Sequence, residues 1–308
     1  MKKGIWLTLI TLFIFADVAS IKSEAISEKP NHSMAIEKKA TSKKIKWSPL
    51  DNLPVVVHGL GYIDGHLVTN SLDALLLNYN RGYRVFEIDL NMTSDHRLVA
   101  RHDWTTGHYA YLGQDYPAVA GPIPFQTVMS LKIHGKYNPA SWEQILAVMQ
   151  MYPDIYIITD TKEMDEKSVR LTFSYLVNAV KQFDPTLLGR IIPQIYNTKM
   201  LGYIKSNYDF NYVIYTLYHL TDIPSPSELA EWSMRNKITA ITALPFRLTY
   251  EMRTALQEKG ITIYAHTIND PNKAARYKKQ GIGIYTDFLF FNGVNFVVPT
   301  QKLFPPKQ

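Results

Sequence analysis

The chain has 308 residues, no cysteine and a formal net charge of +6. That length buries a large core and suits one α/β barrel, a fold that takes about 200–250 residues. The lack of cysteine excludes a disulfide framework, a zinc–thiolate site, a cysteine nucleophile and a lipidated cysteine. The basic excess does not point to nucleic acid, because the Lys and Arg residues form no aromatic-interleaved stripe and no recognisable binding module.

In chain order, residues 1–20 read as an export signal. Met1-Lys2-Lys3 supplies the positive start, 5–15 is an apolar run too short to span a bilayer, and 16–20 offers small residues suited to cleavage. The sequence therefore predicts an exported protein, secreted or associated with the cell envelope. Residues 21–48 form a polar linker with Lys38, Lys39, Lys43, Lys44 and Lys46. Such a run is either a solvated spacer or a weak contact for an anionic envelope, which salt would screen. The folded domain is expected over 49–308.

Within it, short β-rich runs alternate with stretches of helical spacing. Strands are expected at 55–58, 85–90, 155–162, 191–196, 212–218, 240–244, 261–268 and 283–287. Helices are expected at 71–77, 141–152, 169–183, around Met200, and at 227–235, 250–258 and 272–279. With 98–102 set aside as a hairpin partner of the second strand, the alternations favour a closed (β/α)8 TIM barrel over an open doubly wound sheet. No G-x-G-x-x-G or P-loop follows a strand, so the common nucleotide-binding folds drop out. Residues 104–139 are too irregular for a barrel helix and read as an inserted loop on the active face. Its aromatics Tyr109, Tyr111, Tyr116 and Phe125 either meet substrate or pack the loop onto the barrel.

The strand ends carry the chemistry. His58 closes Val55-Val56-Val57, Glu87 and Asp89 lie in Val85-Phe86-Glu87-Ile88-Asp89-Leu90, and His102-Asp103 follows Leu98-Val99-Ala100-Arg101. Apolar strands ending in titratable groups are poor core design unless those ends converge on a site, as they do at the carboxyl face of a barrel. Residues two apart on a strand share a side, so Glu87 projects with Asp89 and Asp160 with Lys162. Carboxylates at one mouth suit a hard cation, Ca²⁺ or Mg²⁺, better than zinc. The bland alternative is that the acids pair with Lys or Arg at the rim. Asn70 either caps the helix beginning at Ser71 or bonds near a substrate anion. His219 and His266 end strand-like runs and are candidate substrate contacts; His66, His108 and His134 default to surface positions.

Taken together, His58-Gly59, Thr69-Asn70-Ser71, Gly82-Tyr83 before Glu87-x-Asp89, Thr93-Ser94-Asp95, Arg101-His102-Asp103-Trp104, Asp160-x-Lys162, the 266–270 segment and Tyr285-Thr286-Asp287 resemble the glycerophosphodiester phosphodiesterase family. The resemblance spans 54–288 and looks like a divergent bacterial branch of the phospholipase C-like superfamily. It implies that His58 and His102 act as general acid and base, that Glu87, Asp89 and Asp160 hold the cation, and that Lys162 faces the substrate phosphate. Two departures stand out. The family commonly has His-Arg-Gly where this chain has His58-Gly59-Leu60, and a shorter Asp160 takes the place of a metal-binding Glu.

The chemistry asks for such a set, because phosphodiester cleavage needs charge neutralisation and proton transfer at both ends of an in-line displacement. The expected activity is metal-dependent hydrolysis of a small-molecule or lipid-derived phosphodiester to glycerol phosphate and an alcohol. The competing expectations are a phospholipase C-like enzyme acting on phosphoinositides or a related headgroup, and a non-catalytic envelope-binding barrel.

Overall fold

A computed structural model describes residues 55–115 and 121–299. The expected signal segment, the basic linker and Tyr116 lie outside the described residues. The first half of the fold runs β1 (Val55–Val57), α1 (Leu72–Asn80), β2 (Val85–Met92), β3 (Leu98–Ala100), α2 (Thr106–Tyr111), α3 (Phe125–Ser130), β4 (Ala140–Ser141), α4 (Trp142–Met151), β5 (Tyr156–Asp160) and α5 (Glu166–Phe183). The second half follows as β6 (Ile191–Ile195), α6 (Thr198–Lys205), β7 (Ile214–Thr216), α7 (Pro226–Arg235), β8 (Ala240–Ala243), α8 (Tyr250–Glu258), β9 (Thr262–Ala265), α9 (Pro271–Lys279) and β10 (Gly283–Thr286).

Strands β1, β2, β5, β6, β7, β8, β9 and β10 pair in parallel around a ring that β10 closes onto β1, with Val57 opposite Thr286. This is the (β/α)8 barrel that the alternation of β-rich and helical runs predicts. Buried parallel strands need apolar residues on both faces, and β1 and β6 read that way in sequence. The helices start where their caps dictate: Ser71 accepts the Ala74 amide, and Ser141 and Ser225 form reciprocal capping boxes with Gln144 and Glu228.

Val56, Val85, Ile158, Ile192, Ile214, Ala240, Tyr264 and Tyr285, one from each barrel strand, pack into a layer that plugs the interior. A larger cluster fills the space between barrel and helices. Because side chains alternate along a strand, the next inward residue lies two positions beyond that plug. On the eight strands this gives His58, Glu87, Asp160, Gln194, Thr216, Thr242, His266 and Asp287. The apolar floor and the polar layer above it follow from the strand period.

Strand β2 overruns the barrel wall and pairs with β3 in an antiparallel hairpin, Leu90 opposite Ala100. The turn is held by the Thr93 hydroxyl, which donates to Asp95 at 2.7 Å and accepts from the Arg97 amide at 2.9 Å. The hairpin returns the chain to the mouth at His102. Beyond it, the inserted segment packs on the rim through Val99, Trp104, Tyr109, Ile123 and Val128. The buried Arg101 guanidinium stacks 4.1 Å over Tyr109 and donates to Gln114 at 2.9 Å. Tyr109 therefore packs the insertion, Tyr111 bonds the Leu67 carbonyl at 2.6 Å, and Phe125 lies under Arg97.

Candidate active site

His58, Glu87, His102, Asp160 and Lys162 line one pocket of about 530 Å³ at the carboxyl ends of the strands. Asp89 lies beneath Lys162, fully buried. A cleft of this size suits a small ligand. His219 and His266 also line it, whereas Asn70 and, among the described residues, the whole inserted segment do not.

Three carboxylates form its base. Glu87, Asp89 and Asp160 are all buried, and each presents an oxygen within 4.8 Å of the others'. Glu87 accepts the Gly59 amide at 2.7 Å. Asn70 grips Asp89 twice, its amide donating to the carboxylate at 2.8 Å and its carbonyl accepting the Asp89 amide at 3.1 Å. Tyr196 donates to both oxygens of Asp160 at 2.6 Å, bracing the shorter acid. Lys162, at a left-handed φ of 61°, places its ammonium 2.6 Å from both Asp89 and Asp160. A non-glycine residue in that region is strained, and such strain clusters at functional sites.

The charges do not balance. Three buried acids face one lysine, so Glu87 is pushed up to about 8 by burial and by repulsion from Asp89. Burial would raise Asp89 as well, but the Lys162 charge outweighs it and holds the carboxyl below its ordinary range. Burial would lower Lys162, and Asp160 and Asp89 instead raise it. Asp89 Oδ1 is buried, with the Lys162 ammonium 2.6 Å away as its partner. An all-oxygen set of three buried carboxyl groups, one of them pushed toward its neutral form by burial and by Asp89, fits a hard divalent cation that would relieve the crowding.

Two imidazoles overlook the cluster. His58 Nδ1 lies 2.7 Å from Asp287 Oδ1, and the other Asp287 oxygen accepts from Asn269 at 2.5 Å. Asn269 in turn accepts the Asp287 amide at 2.9 Å, so the aspartate is clamped. Burial would lower His58, but the hydrogen bond to Asp287 and the charges of Glu87 and Asp89 override it and raise the ring to about 9. His102 sits at the outer edge with its side chain 48% exposed, Nδ1 2.8 Å from Asp103. Asp103 is pulled down to about 2: burial opposes this, but hydrogen bonds from Thr105 and His102 prevail. An ionised carboxylate only accepts, so both rings donate from Nδ1 and keep Nε2 for a substrate proton. His266 packs edge-on against His58 with centroids 5.0 Å apart, and its burial together with the His58 charge drops it to about 3.

The structure also explains the missing arginine. Gly59 has φ +52°, and a Cβ there would meet Val68 Cγ1 at 2.2 Å and Val68 Cα at 2.8 Å. No side chain fits position 59 without moving the backbone that delivers its amide to Glu87. Among the described residues lining the pocket, Lys162 is the one permanently charged cation.

Some expectations change. Ser71 caps α1, and Asn70, itself at φ 51°, clamps Asp89 instead of capping or facing the pocket. His108 is buried on α2, while His66 and His134 stack with centroids 3.6 Å apart. Asp287, Asn269 and Tyr196 had no role assigned from sequence. The signal for Asp287 was present: it follows β10 as His58 follows β1, and those strands are neighbours.

Solved structures share this architecture, and 39 chains match. A phosphodiesterase from Oleispira antarctica, in complex with the product sn-glycerol-3-phosphate, aligns with a TM-score of 0.63 at 20% identity over 76% of this chain and 93% of that one. A glycerophosphodiester phosphodiesterase from Parabacteroides distasonis gives 0.59 at 21% identity over 77% and 93%. One from Thermotoga maritima gives 0.57 at 17% over 77% and 95%. At these identities the likeness establishes the fold. No curated protein matches the chain significantly. The sequence profile of the glycerophosphoryl diester phosphodiesterase family matches residues 61–289, a segment that holds Glu87, Asp89, His102, Asp160, Lys162 and Asp287 and begins just after His58. Matched over most of its length, the chain belongs to the glycerophosphoryl diester phosphodiesterase family and is a phosphoric diester hydrolase.

Proposed function

We propose that the protein hydrolyses glycerophosphodiesters to glycerol phosphate and an alcohol, with His58 and His102 transferring protons above a cation site formed by Glu87, Asp89 and Asp160. The observation that carries this reading is the pairing of two imidazoles, each anchored through Nδ1 on a carboxylate, over a buried three-acid cluster in one pocket. A bound Ca²⁺ or Mg²⁺ would supply charge neutralisation for the phosphoryl oxygens. Lys162 adds a fixed positive charge at the same level. One ring accepts the nucleophile's proton at Nε2 while the other donates to the leaving oxygen. Asp287 and Asp103 hold the tautomers that make this exchange productive. His266, kept neutral against His58, and His219, tilted against Tyr196 with centroids 5.0 Å apart, border the space for the substrate's organic part. The apolar run at 5–15 and the basic residues before it support export as the setting of this activity.

A second reading rests on Lys162. Its ammonium bridges Asp89 and Asp160 at 2.6 Å each, which suits a phospholipase C-like reaction on a lipid headgroup that uses the lysine as its built-in cation. A panel of glycerophosphodiesters, phosphatidylinositol and other phospholipids, assayed with Ca²⁺, Mg²⁺ or chelator, separates the two. Cation-dependent release of glycerol phosphate supports the first. Full activity on a phospholipid after exhaustive chelation overturns it in favour of the second.

A further inference from the structure

Behind the catalytic mouth lies a second group of ligand-type side chains. His102, Asp103 and His108 each present one ligand atom, and these lie within 4.8 Å of one another. His108 belongs to α2 and is only 8% exposed, and among the described residues its buried Nε2 has no hydrogen-bond partner. Burial, then the nearby Arg101 charge, lowers His108 to about 4, so the ring is neutral near pH 7. A buried imidazole nitrogen with no partner is costly, and native proteins ordinarily satisfy such atoms. The His102 and His108 rings lie 5.7 Å apart, centroid to centroid.

We propose that His102, Asp103 and His108 form a second metal site, selective for a borderline transition ion such as Zn²⁺, whose occupation withdraws His102 from catalysis. The donor chemistry separates it from the all-carboxylate cluster. Two imidazoles and one carboxylate suit zinc, whereas Ca²⁺ and Mg²⁺ take oxygen shells. Bonds of about 2.1 Å in a tetrahedral shell space neighbouring ligand atoms by about 3.4 Å. The cluster therefore closes by about 1.4 Å at most, and the half-exposed His102 side chain is free to make that movement. Thr105 fixes one Asp103 oxygen by donating from its amide at 2.7 Å and its hydroxyl at 2.5 Å, and the other, now 2.8 Å from His102 Nδ1, would exchange that proton donor for the metal. The neighbouring Arg101 is held in place, its Nε donating to the Asp103 carbonyl at 2.7 Å and its Nη1 to Gln114 at 2.9 Å. A metal on the His102 ring and proton transfer through it exclude each other, so zinc is expected to inhibit. That consequence rests on the function proposed above; the binding itself does not.

The test is titration calorimetry of the full chain with ZnCl₂ in millimolar Ca²⁺, added to compete for the carboxylate cluster. Visible absorption of a Co²⁺-loaded sample reports the coordination. One zinc per chain is expected for the wild type, lost in both His108→Asn and His108→Gln, with melting temperatures showing that the variants fold. Zinc bound equally well by folded His108 variants, or no zinc bound in Ca²⁺, would overturn the site. With a cleaved phosphodiester in hand, zinc should inhibit the wild type at least tenfold at concentrations that fill the calorimetric site. His108→Asn should keep its basal rate and escape inhibition; zinc binding without inhibition would overturn the withdrawal of His102. Failure to find any phosphodiester substrate would sink the proposed function while leaving the calorimetric result to stand.

Discussion

Asp287→Asn isolates the group that holds His58. The aspartate lies 2.7 Å from His58 Nδ1, and the rise of the ring to about 9 corresponds to about 3 kcal/mol of extra stabilisation of the imidazolium, shared among Asp287, Glu87 and Asp89. An amide in place of the carboxylate removes the charge and imposes an orientation. Asn269 donates to the outer oxygen at 2.5 Å, so the new amide keeps its oxygen toward Asn269 and turns its NH₂ to His58. Nδ1 must then accept, the neutral ring carries its proton on Nε2, and the atom facing substrate loses its basic lone pair. The expected cost is about 10²–10⁴-fold in kcat. KM should move by less than about threefold, because Asp287 does not line the pocket. Steady-state kinetics on a cleaved glycerophosphodiester at saturating cation, with thermal melts to verify folding, measure both. A kcat within threefold of wild type would refute the positioning argument.

Other outcomes follow from single contacts. Gly59→Ala puts a Cβ 2.8 Å from Val68 Cα at a left-handed φ, and thermal or denaturant melts should show a loss of about 2–4 kcal/mol. Tyr196→Phe removes the hydroxyl bracing Asp160, and an activity titration should show the apparent cation constant rising about tenfold. His108, lowered to about 4 by burial and Arg101, is neutral in folded and unfolded chains above about pH 6.5. Below that the unfolded chain takes up the proton first, so its contribution to stability is lost as pH falls from about 6.5 through about 4. Denaturant melts in chelator at pH 7 and pH 5 should show a smaller drop for His108→Asn than for wild type; an equal drop would contradict the buried neutral ring.

The barrel is legible in sequence because its parallel strands are buried on both faces and read as short apolar runs, and because capped helices separate them. The polar layer is legible for the same reason: a titratable residue two positions beyond an inward apolar one has only the mouth to occupy. What sequence could not supply is closure. His58 and Asp287 are 229 residues apart and meet only because β10 pairs with β1. Asn70 looks like a helix cap until the left-handed turn at φ 51° swings it onto Asp89. His108 looks like a loop histidine until α2 folds it beneath His102. Local patterns carry strand ends and caps; pairings across the barrel need the register.

The most direct measurement is glycerol phosphate release from a glycerophosphodiester, in saturating Ca²⁺ or Mg²⁺, by wild type, His58→Ala and His102→Ala. The account predicts a loss of about 10²–10⁴-fold in rate for each variant, with both still folded. Wild-type turnover by both would contradict it.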